Sequence, residues 1–86
     1  MEIKESGKRH QIKLEDRNRL EIDGVDGVVS FEETYVYITT IKGGIEIEGS
    51  GMLIEDLSKS SGKILITGTI NQITYKDATK KKGLFG

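Results

Sequence analysis

Along residues 42–58, "KGGIEIEGSGMLIEDLS", apolar and charged residues alternate with a period of two, stop at glycines and begin again. That period suits a half-buried strand, whose successive side chains leave opposite faces. The same rhythm runs through most of the chain. Residues 1–9, "MEIKESGKR", show no periodicity and read as a loose N-terminal arm. "HQIKL" sets Ile12 and Leu14 two apart, the charged connector "EDRNR" follows, and "LEI" resumes with Leu20 and Ile22. "DGVDG" carries Asp-Gly twice and predicts a turn, because Gly accepts positive φ and Asp tolerates it. "VVSF" predicts another strand. "TYVYITTI" is the most strand-prone window, with Val36 and Ile38 on one face and Tyr35 and Tyr37 on the other.

"KGG" predicts a hairpin into "IEIEG", whose Ile45 and Ile47 point inward and whose Glu46 and Glu48 point outward. "SG" separates that strand from "MLIEDL", and "SKSSG" leads into the long run "KILITGTINQITY". Alternation on either side of Gly68 marks a bulge there. Leu53 and Leu57 would suit a short helix, but so few residues favour a strand. The expected fold is therefore all-β, a small antiparallel β-sandwich of immunoglobulin-like or meander type with about seven or eight short strands. Residues 10–76 form a single β domain, followed by a Lys-rich tail, 77–86.

Composition sharpens this picture. The chain has 86 residues, and a single core of that size gives about 3–5 kcal/mol of net stability. Apolar residues are only 35%, but twelve Ile, four Val and seven Thr fit a pleated surface well. With no Cys there is neither a disulfide nor a thiolate metal site. The absence of Pro leaves strand ladders uninterrupted and edge strands without their commonest blocker. A net charge of −1 provides no basic field for nucleic acid. The N-terminus is too polar for a signal peptide, so the expected location is cytoplasmic, peripheral at a membrane if the tail engages one.

No catalytic chemistry gathers. His10 is the only His, so a metal would need several carboxylates around it, and no metal is expected. "DGVDG" lacks the acidic spacing of a calcium loop. Gly49 and Gly51 precede Met52, Leu53 and Ile54 rather than a helix, and Glu46 and Glu48 would repel a phosphate; the glycines read as hairpin residues. The carboxylate pairs Glu32 and Glu33, Glu46 and Glu48, and Glu55 and Asp56 fall on turns or solvent-facing positions, where acidity stays ordinary. No enzyme and no cofactor are expected. Two interaction candidates remain. In the tail, Lys80, Lys81, Lys82, Leu84 and Phe85 could make a weak anionic-membrane contact, at about 1 kcal/mol per Lys. Beside unpaired strand margins, Tyr35 and Tyr37 could form an aromatic docking face, unless both pack across strands. Pro-free edges and a thin core also favour a homo-oligomer.

Taken together, "HQIKLEDRNRLEIDGVDGVVSF", "TYVYITTIKGGIEIEGSGMLIEDL" and "GKILITGTINQITY" resemble the YabP/YqfC family of sporulation proteins from endospore-forming bacteria. The likeness lies in Leu20, Ile22, Gly24, Val25, Ser30 and Phe31, then Gly44, Ile45, Ile47, Gly49, Leu53 and Leu57, and last Gly68, Ile70 and Tyr75. The register around Met52 and Ile54 departs slightly from the family pattern. The resemblance implies a small all-β domain used in spore formation, with no catalytic residue to carry over. It leads to the expectation of a non-enzymatic structural or assembly factor that contacts other sporulation proteins in building the spore envelope or coat. The alternatives are a membrane-surface adaptor held by the tail and a small ligand-binding β domain.

Overall fold

The structure is a computed structural model and describes residues 10–76. Six strands make one antiparallel sheet: β1 (Ile12–Glu15), β2 (Arg19–Asp23), β3 (Val25–Glu32), β4 (Tyr35–Thr40), β5 (Gly43–Ser58) and β6 (Lys63–Lys76). Their order is β1-β2-β6-β5-β4-β3, so β3 to β6 form a meander and the β1–β2 hairpin adds to the far side of β6. This corrects the expected sandwich of seven or eight strands. The count fell because "SG" at residues 50–51 does not end a strand: β5 runs through it for 16 residues. Gly49 and Gly51 are accordingly bend residues rather than hairpin residues.

A single flat layer would leave one face of the sheet in water. Here Leu20, Ile22, Ile64 and Ile66 on one half, and Val36, Ile38, Ile45 and Ile47 on the other, are all fully buried in one cluster. The sheet therefore folds across itself. β1, β2, the first half of β6 and the second half of β5 lie on one side of the core. The second half of β6, the first half of β5, β4 and β3 lie on the other.

The fold line runs through paired irregularities in the two long strands. Gly51 and Met52 on β5 together oppose Gly68 on β6, and Asn71 on β6 and Glu55 on β5 are further unpaired residues. A bulge bends its strand and increases the local twist, which is what a long strand needs to serve both halves. At the crossing the two backbones come very close. A Cβ on Gly68, whose φ is +118°, would lie 2.4 Å from the Gly51 carbonyl oxygen. The expected bulge is present, with the extra residue on β5.

Two further turns position the halves. "DGVDG" is not a turn as a whole: Asp23 ends β2, Gly24 with φ of +80° makes a corner, and Val25 already starts β3. Gly24 holds the corner by accepting from the Ile41 N–H at 2.9 Å. In the β1–β2 connection, Asp16 and Arg17 both have positive φ, 50° and 55°, and the Asn18 N–H closes the turn on the Glu15 carbonyl at 3.0 Å. That is a primed turn made without glycine.

Candidate docking cleft

The folded sheet has two places where strand edges face each other without a ladder. The first lies between β3 and the second half of β5. β3 is an edge strand, and β5 from Gly49 to Ser58 pairs only with β6. The two edges touch at their ends, where the Met52 N–H donates to the Glu33 carbonyl at 3.0 Å and the Val25 N–H to the Gly62 carbonyl at 2.9 Å. Between these pins no ladder forms. Instead there are two clefts, one lined by Phe31, Glu33, Met52 and Leu53, the other by Val25, Val28, Leu57 and Lys59.

The floor of this seam is apolar for a reason rooted in register. Val25, Val28 and Phe31 pair with Thr40, Ile38 and Val36, so all three face the core although they are three apart. Bulges at Asp26 and Val29 absorb the extra residue in each interval. On β5, Ile54 and Leu57 pair with the buried Ile66 and Ile64 and face the core likewise, with Glu55 as the extra residue. Yet Phe31 remains 42% exposed and Leu57 40%, and on the adjoining outer surface Leu53 is 53% exposed. Among the described residues the core is only partly covered along this line.

The rim is acidic. Asp26, Glu32 and Glu33 stand on the β3 side, Glu55 and Asp56 on the β5 side, and all five are exposed. Among the described residues none of them pairs with a cation, while the ion pairs of the first half-sheet use Glu15, Glu21 and Asp23. Glu55 accepts from the Thr67 hydroxyl at 3.1 Å. Among the described residues, Lys59 is the one cation lining either cleft.

The second seam, between β1 and the end of β6, is closed more firmly. Arg17 reaches across it: its Nε donates to the Ile70 carbonyl at 3.2 Å, its Nη2 to Asn71 Oδ1 at 2.9 Å, and its own carbonyl accepts from the Ile70 N–H at 2.8 Å. At the other end His10 donates from Nδ1 to the Asp23 carbonyl at 2.8 Å, which leaves Nε2 to accept from the Tyr75 hydroxyl. Leu14 and Tyr75 are the large apolar side chains exposed there.

The residues singled out in the sequence fall elsewhere. Tyr35 and Tyr37 lie on the outward face of β4, half-buried. The Tyr35 hydroxyl donates to Glu46 at 2.9 Å, which with burial and nearby negative charge raises its pKa above the ordinary tyrosine value. Tyr37 lies over Gly44, where an added Cβ would sit 2.5 Å from the phenol oxygen. Lys80, Lys81, Lys82, Leu84 and Phe85 lie outside the described residues. Among the described residues, no three His, Asp or Glu side chains are grouped as a metal site would need. What sequence reading missed is the cleft itself. Glu32–Glu33 and Glu55–Asp56 look like unrelated solvated pairs along the chain, and only the fold sets their strands on either side of one seam.

A family model described as the YabP family matches residues 6–82, spanning all of the described domain. The chain belongs to the YabP family. It is also 28% identical over 80 residues to the "Spore protein YabP" of Bacillus subtilis (strain 168), an alignment covering 90% of this chain and 80% of that protein. The YabP match includes both banks of the cleft and both clamped ends of the second seam.

Proposed function

We propose that this chain is a non-enzymatic sporulation protein that works by protein contact, as an assembly factor for the spore envelope or coat, and that the β3–β5 cleft is its contact surface. Family membership and the name of its Bacillus relative support the process. One observation carries the mechanism: core-facing side chains stay half exposed where two strand edges meet without pairing. An apolar patch of this kind, rimmed by polar groups, is the usual mark of an interaction site. Its partners would be other sporulation proteins in the cytoplasm of the sporulating cell.

The test is complementation in an endospore-forming cell that lacks its own copy, with heat-resistant spores counted. Loss of the gene lowers the count and the wild-type chain restores it. Leu53→Lys, a change at an exposed position, leaves thermal unfolding unchanged and fails to restore it. A normal count without the gene would remove the sporulation role. Full rescue by Leu53→Lys together with Leu57→Ser would remove the cleft as the contact surface.

A further inference from the structure

We infer that the cleft between β3 and β5 selects a partner segment of one chemistry: an extended stretch with apolar side chains at alternate positions and Lys or Arg between them. The inference rests on the cleft being the contact surface and adds the identity of what enters it. Two features converge on this choice. The floor, at Val28, Phe31 and Leu57, is an incompletely covered part of the core, so an apolar anchor placed there loses contact with water on all sides. Exposed acids stand along both strands that border the seam, Asp26, Glu32 and Glu33 by β3 and Glu55 and Asp56 on β5, with Glu33 lining one cleft and Asp26 the other, so a segment lying along the seam meets excess negative charge. A cation beside each anchor meets them, and an acidic segment of equal hydrophobicity is repelled.

The manner of binding follows from the edges. β3 carries two bulges and β5 one on this side, which interrupts the regular spacing of free N–H and C=O groups. A guest strand cannot extend a regular ladder along such edges. Anchoring side chains and charge sign therefore set the selectivity, with backbone pairing secondary.

The experiment titrates the full chain, isotopically labelled, with a peptide of about ten residues alternating Lys with Val, and with its Glu–Val and Lys–Ser counterparts. Expected are amide shifts confined to Val25–Glu33 and Gly51–Lys59 for the Lys–Val peptide, weakening as salt is raised, and at least about tenfold weaker binding of either counterpart. Glu33→Lys with Asp56→Lys, both at exposed positions, should reduce Lys–Val binding by about tenfold or more without altering the spectrum elsewhere. Equal binding of the Glu–Val peptide, or shifts lying on the outward face of β4, would overturn the inference. A rise in Lys–Val affinity on Phe85→Ser would also overturn it, by giving the cleft to the chain's own C-terminal segment. A cleft that takes no peptide while spore counts still depend on Leu53 refutes the partner chemistry and leaves the contact surface standing.

Discussion

Gly68→Ala isolates the contact on which the folding of the sheet depends. Two separate penalties meet at this position. The backbone has φ of +118°, a region that a residue with a Cβ occupies only under strain of about 1–3 kcal/mol. The new methyl would also lie 2.4 Å from the Gly51 carbonyl oxygen and 2.7 Å from the Met52 Cα, both backbone atoms that no rotamer change can move. Relieving that overlap means parting β5 from β6 at the fold line, and overpacking of this kind costs about 1–3 kcal/mol more. Together they give about 2–6 kcal/mol, against about 3–5 kcal/mol expected for a core of this size. Gly68→Ala should therefore lose most of the stability of the domain and leave a substantial unfolded fraction at room temperature. Two controls separate the penalties. Gly51→Ala has positive φ, +59°, but no atom within 4 Å, and should lose only about 1–2 kcal/mol. Gly27→Ala has neither problem, its nearest neighbour being Thr39 Oγ1 at 3.8 Å, and should be close to neutral or slightly stabilising. Urea unfolding followed by circular dichroism measures the series. A Gly68→Ala protein no less stable than Gly51→Ala would refute the close crossing and the account of the fold line built on it.

The β1–β2 turn predicts an unusual ranking: Arg17→Ala loses two side-chain hydrogen bonds and keeps the left-handed backbone, whereas Arg17→Gly loses the same bonds and relieves the backbone. Arg17→Ala should be less stable than Arg17→Gly by about 1 kcal/mol in the same urea assay, although alanine is normally the more favourable residue. Gly44→Ala should be tolerated with a loss of about 1 kcal/mol or less, because the obstacle is the movable end of Tyr37, and its signature is a change in tyrosine fluorescence. For Tyr35 the neutral, protonated form is the one held by Glu46, so its pKa is raised in the folded state. Its contribution to stability is complete below the ordinary tyrosine value of about 10 and is lost as pH rises through the raised folded value. Ultraviolet titration of tyrosinate should therefore show Tyr35 ionising late, and Glu46→Gln should shift it back toward the ordinary value.

Much of the sheet was legible because its interior obeys a period of two wherever the ladder is regular. Val36 and Ile38, and Ile45 and Ile47, share a face by that period and are fully buried. Reading failed where the period slips. Val25, Val28 and Phe31 are three apart, as are Ile54 and Leu57, and each interval hides one bulged residue. Alternation alone turns such intervals into strand ends, which is why "DGVDG" reads as a turn; "GSG" reads as a break because Gly51 and Met52 together oppose Gly68 and interrupt the period there. An apolar spacing of three inside an otherwise alternating, proline-free run is itself a bulge signal. The site was harder still, since nothing local to Glu32 or Asp56 says that their strands border the same seam. That relation exists only once the Gly51–Gly68 crossing folds the two halves together.

The bulges on the open banks have two consequences that reinforce each other. A thin, proline-free domain with regular free edges invites strand addition by any neighbour, including its own copies. Bulges at Asp26, Val29 and Glu55 remove that regularity, and the exposed carboxylates along the same edges add repulsion between like copies. The same bulges rotate Val28, Phe31 and Leu57 toward the core while leaving them without cover, so the edge that resists indiscriminate pairing is also the one that exposes a specific apolar channel. Straightening β3 to close the seam would flip one of these side chains to the outer face. The fold cannot both complete its core and keep its edge irregular, and the structure keeps the irregular edge.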